Sequence, residues 1–141
     1  KNFWYVIGKR TNKGENKILT FALDRIIDLQ LTNEIFHEEE MDKKNFFKNV
    51  VGVTIGEGKP EKVVLSFSPI QGKYIKTIPI HQSQQILKET KNELRVSLDV
   101  VINHELKMQL LSYGENVKVL EPKKLSAEIK AAAKKMLELY S

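Results

Sequence analysis

Glu93-Leu94-Arg95-Val96-Ser97-Leu98-Asp99-Val100 alternates strictly, with Leu94, Val96, Leu98 and Val100 on one side and Glu93, Arg95, Ser97 and Asp99 on the other. Successive side chains of a strand leave on opposite faces, so a period of two marks a half-buried strand. Directly after it, Asn103 is placed to cap a helix whose apolar stripe is Leu106, Leu110 and Tyr113, with Leu111 beside them. Gly114 supplies the left-handed residue that ends such a helix. Val117-Lys118-Val119-Leu120 then reads as a strand, stopped by Glu121-Pro122.

Upstream of the alternating stretch, Lys62-Val63-Val64-Leu65-Ser66-Phe67 is a β-branched, apolar run closed by Ser68-Pro69. Residues 69–76 read as a short, weak helix and residues 78–87 as a second strand, folded back by the turn Thr90-Lys91-Asn92. The order is βαββαβ, the ferredoxin-like arrangement. The alternating strand has only one apolar face to bury, so both helices are expected on one side of an antiparallel sheet.

Nearer the N-terminus, Phe3-Trp4-Tyr5-Val6-Ile7-Gly8 opens a strand, residues 9–17 form a polar, basic loop around Gly14, and residues 18–23 return as a second strand. Asp24-Arg25 interrupts it, after which Ile27, Leu29 and Leu31 alternate with Asp28, Gln30 and Thr32 as a third strand. Three strands with no helix over them bury too little to stand alone. They are therefore expected to pack on something else, or to be completed by strands upstream of Lys1, which in place of methionine reads as the start of a fragment. Residues 33–40 turn acidic through Glu34, Glu38, Glu39 and Glu40, the composition of a solvated linker rather than a converging metal site. Asp42 is placed to cap a short helix carrying Phe46, Phe47 and Val50, and Gly52, Gly56, Gly58 and Pro60 form a flexible joint. Gly56-Glu57-Gly58 is not followed by a helix and is not read as a nucleotide loop.

After Pro122, the residues Leu125, Ile129, Ala132, Ala133, Met136, Leu137 and Tyr140 recur at helical spacing. Lys123, Lys124, Lys130, Lys134 and Lys135 occupy the opposite face. An amphipathic helix docked on the domain with a solvated lysine face accounts for this pattern; contact of that face with a membrane surface or nucleic acid is the alternative.

Composition narrows the function. Hydrophobic residues make up 41% and charged residues 29% of 141 residues, an ordinary globular balance. No apolar run approaches the ~20 residues that span a bilayer, and no signal-peptide pattern opens the chain. Cysteine is absent, which removes disulfides, thiolate nucleophiles and cysteine-based zinc sites and fits a reducing, cytoplasmic compartment. The charge of +5, from 23 basic and 18 acidic residues, permits an anionic partner without demanding one. His37, His81 and His104 lie apart with no H-E-x-x-H spacing, and no G-x-S-x-G or P-loop occurs, so no catalytic residue, cofactor or metal site is assigned and the expectation is a non-enzyme. His81-Gln82-Ser83-Gln84 is a polar cluster inside a predicted strand. It reads as an edge strand, or as a strand whose exposed face meets a ligand or partner.

Several stretches together carry a family resemblance. Trp4-Tyr5-Val6 and Thr20-Phe21-Ala22-Leu23-Asp24-Arg25-Ile26 resemble the WYL domain of bacterial transcriptional regulators. The remainder is similar to the WCX extension that follows it, through Phe46-Phe47-Lys48-Asn49 with Gly52, Pro60-Glu61-Lys62-Val63-Val64-Leu65, and His81-Gln82-Ser83-Gln84. The later matches are Leu110-Leu111-Ser112-Tyr113-Gly114, Val117-Lys118-Val119-Leu120-Glu121-Pro122 and Met136-Leu137-Glu138-Leu139-Tyr140. The resemblance implies an α+β chain divided as follows: strands of an Sm-like β-barrel in 1–33, a linker with a short helix in 34–60, and a ferredoxin-like (βαββαβ) domain with a C-terminal helix in 61–141. It also implies an effector-sensing module for nucleic acids or nucleotides, promoter binding through an upstream helix-turn-helix that is not among these residues, and a homodimer. The sequence departs from the family at Val6, at Leu19 and Ala22 where basic residues are usual, and at Gln82 in place of proline.

The candidate ligand- or nucleic-acid-binding residues are Arg25, Tyr5 and Arg10, together with His81, Ser83 and Gln84. Arg25 is the family-matched cation. It has two readings, an ion pair with Asp24 or Asp28, or a phosphate contact through its planar fork of donors. Lys9, Arg10, Lys13 and Lys17 supply positive field near the loop. The rival function is a protein-interaction or dimerisation module with no small effector, which the loss of basic residues at Leu19 and Ala22 favours.

Overall fold

A computed structural model describes residues 3–10, 17–37, 42–54, 56 and 58–141. The loop centre with Lys13 and Gly14, the run Glu38-Glu39-Glu40, and Glu57 lie outside the described residues. The elements are β1 (Tyr5–Arg10), β2 (Lys17–Ala22), α1 (Lys43–Phe46), β3 (Glu61–Phe67), α2 (Pro69–Thr77), β4 (Gln85–Glu89), β5 (Leu94–Val100), α3 (His104–Ser112), β6 (Val117–Glu121) and α4 (Lys123–Glu138). Short 3-10 turns occupy Leu23–Arg25 and Gly114–Asn116. Among the described residues, no helix is long and apolar enough to cross a membrane.

β1 and β2 form an antiparallel hairpin in which Tyr5 faces Ala22 and Arg10 faces Lys17. The other four strands form an antiparallel sheet in the order β4-β5-β3-β6. With α2 and α3 as connections this is the expected βαββαβ fold, and the chain is α+β. Its register follows from the apolar alternation: Val63 faces Leu98, Leu65 faces Val96 and Phe67 faces Leu94, all six buried on one side of the sheet. Ile75 of α2, Leu106 and Leu110 of α3, Val119 of β6 and Leu125 of α4 complete that core. Each such side chain contributes about 1.5–3 kcal/mol through burial. The Tyr113 ring meets Phe67 edge to face, with centroids 5.6 Å apart.

Local chemistry sets the helix ends. Ser68 accepts a hydrogen bond from the Gln71 N–H at 3.3 Å, with Pro69 in the first turn, and α2 runs nine residues, firmer than a weak helix. It also lies close to the sheet, because a Cβ at Gly72 would come within 2.8 Å of the Leu94 Cβ. Gly114 ends α3 at a φ of 57°, as its position in the sequence requires.

Three expectations are corrected. Ile27, Leu29 and Leu31 do alternate, but the segment is not a strand: Asp28 has a φ of 59°, and the three apolar side chains are 92%, 83% and 103% exposed. Alternation specifies a strand only where a neighbour supplies the ladder, and no described residue pairs with this segment. The second strand of the ferredoxin-like unit begins at Gln85 rather than 78, so His81-Gln82-Ser83-Gln84 forms a turn before β4 and not a strand. Pro79 lacks the N–H a ladder needs, and the polar side chains of the turn bond to backbone instead. Finally, α4 docks only through its first half. Leu125 and Ile129 reach the core, whereas Met136, Leu137 and Tyr140 are exposed.

The short helix expected to carry Phe46, Phe47 and Val50 ends at Phe46, and residues 48–54, which include Gly52 of the expected flexible joint, pack as a strap on the ferredoxin-like unit. The Val101 N–H donates to the Asn49 carbonyl at 2.8 Å, and Val51 is buried in the core. Asn103, only 4% exposed, caps α3 by accepting from the Leu106 N–H at 2.9 Å. Its amide nitrogen donates to the carbonyls of Val51 at 2.7 Å and Thr54 at 2.9 Å. The Thr54 N–H and hydroxyl both donate to Glu105 Oε1. Gly52 passes so close to Glu105 that a Cβ would meet its Cγ at 2.8 Å, at a φ of 78° that also favours glycine. Asn103→Ala removes the cap and strands two carbonyls, and is expected to cost about 2–4 kcal/mol. Asn103→Asp keeps the cap acceptor but sets a carboxylate against those carbonyls, so urea midpoints should show it also destabilised.

Candidate functional site

The structure separates the sequence-predicted residues into three places. Tyr5 opens β1, and the Leu23 N–H donates to the Trp4 carbonyl at 3.0 Å, extending the hairpin to the 3-10 turn that carries Arg25. Trp4, Tyr5 and Arg25 therefore share one end of the hairpin, all of them exposed. Arg10 closes the opposite end of β1, five residues from Tyr5 at roughly 3.4 Å each, about 17 Å away. No described residue forms an ion pair or hydrogen bond with the Arg25 guanidinium. Asp28 is held instead by the Gln30 amide at 3.0 and 3.1 Å. This end thus combines aromatic faces with an unpaired guanidinium, the donors and surfaces that bind phosphate and stack on bases.

His81, Ser83 and Gln84 lie together in the turn before β4, and their polar groups are engaged inside the fold. His81 is 9% exposed. Its Nδ1 receives the Ser83 N–H at 3.1 Å and faces the Ser83 hydroxyl at 2.7 Å. With donors on that side, the neutral ring carries its proton on Nε2, towards the Lys48 carbonyl that raises its basicity. Gln82 donates to the same carbonyl at 2.8 Å. Ser83 Oγ accepts the Asp99 N–H at 2.9 Å, joining the turn to β5. Gln84 Nε2 donates to the Ile75 carbonyl at 2.9 Å while its Oε1 accepts the Ile80 N–H at 3.1 Å. The turn therefore ties together α2, β5 and the strap.

The third place was not singled out in the sequence. On the sheet face away from the helices, Glu93 accepts from the Ser66 hydroxyl at 2.7 Å and from Arg95 at 3.0 Å, and pairs with Lys88 at 3.1 Å. These bonds, the Ser66 hydroxyl first, hold the Glu93 carboxyl down at about 2. In sequence, Glu93 and Arg95 are simply the polar side of an alternating strand. What brings Ser66 to them is the β3–β5 register, with Ser66 directly opposite Arg95.

A ferredoxin-like sheet with a packed strap and C-terminal helix defines the class of domain. A family model described as the WCX domain matches residues 59–137, more than half of the chain, and the chain belongs to that family. Among solved structures it is similar to Proteasome accessory factor B/C (PafBC) of Arthrobacter aurescens, with 23% identity and a TM-score of 0.38. That similarity covers 90% of this chain, which spans 19% of the length of the other. No curated protein matches the sequence.

Two pH windows follow from these environments. Burial lowers the His81 pKa below 6.5, with Lys48 and Asp99 opposing. The unfolded chain therefore takes up this proton first, and stability present above pH 6.5 is lost as pH falls towards the lowered value. In urea titrations, His81→Gln should remove that slope. The Glu93 carboxyl, lowered from 4.5 to about 2, contributes stability that is complete above 4.5 and lost between those values. Glu93→Gln should flatten the acid limb in that window and leave the His81 window unchanged.

Proposed function

We propose that this chain is the regulatory C-terminal part of a WYL-type transcription regulator, and that its hairpin end senses a nucleic acid or nucleotide through Arg25. The observation that carries this reading is the exposed Arg25 guanidinium, without a partner among the described residues, at the same hairpin end as Trp4 and Tyr5. A guanidinium keeps its charge at physiological pH and presents a fork matched to phosphate oxygens, while aromatic faces take up bases without sequence preference. WCX membership supports the regulatory setting. The module acts by binding and carries out no chemistry of its own.

A second reading has its own support. Ile70 and Tyr74, one turn apart on α2, and Ile78 just past its end are exposed apolar side chains, which suit a protein partner or a second copy. In the full-length protein, Arg25→Ala should weaken binding of a short single-stranded oligonucleotide and reduce the salt slope by about 0.7, the value for one phosphate. Unchanged affinity across several salt concentrations would move the assignment to the interaction module.

A further inference from the structure

The sheet face away from the helices has a second group of polar side chains next to the Glu93 network. Ser97 and Asp99 stand two residues apart on β5 and point the same way. Lys62 of β3 lies directly across from Asp99, and Gln85 of β4 directly across from Ser97. Such cross-strand partners bring Cβ atoms to ~5 Å, so the four side chains mark the corners of one small area. Together with Ser83 and Leu98 they line a cleft of about 380 Å³.

The two groups differ in how far they are satisfied. Ser66, Glu93, Arg95 and Lys88 are bonded to one another, with Arg95 Nε alone left without a partner. In the cleft, the Lys62 ammonium, the Gln85 amide, the Ser97 hydroxyl and the Asp99 carboxylate have no hydrogen-bond or ion-pair partner among the described residues. Towards Asp99, Ser83 bonds the backbone and not the carboxylate, which fixes the strand and leaves the carboxylate facing the cleft. Ser97 is only 6% exposed as a residue, and its side chain borders the cleft without a hydrogen bond to any described residue. Its hydroxyl is open to the cleft and is placed to bond a group that enters it.

We propose that the cleft binds a small zwitterion of the α-amino-acid class, with its carboxylate on Lys62, its ammonium on Asp99 and a polar side chain reaching Ser97 and Gln85. One cation beside one carboxylate suits a ligand of zero net charge and offers a phosphate no net attraction, which separates this site from the hairpin end. The volume lies at the small end of the ~300–1,000 Å³ typical of ligand pockets. The inference does not rest on the hairpin reading.

The test is a titration of the isotope-labelled chain with an equimolar mixture of L-amino acids at neutral pH, then with its members singly, following backbone amide shifts. Saturable shifts are expected around Lys62, Gln85, Ser97 and Asp99, with neither acetate nor methylammonium reproducing them at equal concentration. Asp99→Asn and Lys62→Met should each raise the dissociation constant about tenfold or more, the loss of one charged hydrogen bond. Ser97→Ala should weaken only those members that carry a polar side chain. Unmoved amides at the core residues Leu106 and Leu110 in the unliganded variants would establish that the fold is retained. The proposal is overturned by shifts that do not saturate, by acetate acting as well as the mixture, by binding that survives Asp99→Asn, or by self-association that covers these amides without ligand.

Discussion

Asn103 is the residue on which the ferredoxin-like unit and the segment before it jointly depend. Its side-chain oxygen starts α3, and its nitrogen holds two carbonyls of the strap. A carboxamide is the only neutral side chain with an acceptor and two donors on one plane, and this position uses the acceptor and both directions of the NH2 group. Because the group is buried, water offers no substitute for any of the three bonds. The helix start and the strap are therefore set by the same side chain. The strap in turn places Val51 in the core and brings Thr54 to Glu105.

The ferredoxin-like half was legible in the sequence because its signals are periodic. Leu94, Val96, Leu98 and Val100 alternate whatever their neighbours are, and the caps at Ser68 and Asn103 and the stop at Gly114 depend on local stereochemistry. The strap was not legible, because its bonds leave from backbone carbonyls of Asn49, Val51 and Thr54, and composition says nothing about where a carbonyl points. His81-Gln82-Ser83-Gln84 was misplaced for a related reason. Side chains that replace a ladder look, in sequence, like the polar face of a strand.

The candidate sites divide along the same line. Arg25 was marked by residue type and resemblance, and the structure adds that Asp28 is bonded to Gln30 rather than to it. Arg10 was grouped with it by charge alone, and strand geometry carries it to the other end of the hairpin. The Glu93 network and the cleft beside it needed the register. Ser66 and Arg95 are 29 positions apart in sequence and become neighbours only when β3 pairs with β5.

β3 occupies the middle of the sheet between β5 and β6, so Phe67 pairs with both Leu94 and Val117. Neither partner is local. The central strand cannot be enclosed until chain far along the sequence has returned to it, and each return closes a long loop before any contact offsets the lost entropy. Folding of the unit should therefore be paced by the search for these distant pairings rather than by its helices. The hairpin β4–β5, joined by only a few residues, can form early but remains a two-stranded piece of marginal stability. Until β3 docks against it, the apolar side of β5 is open to other chains, and the speed of that docking decides how long a nascent molecule stays prone to aggregation.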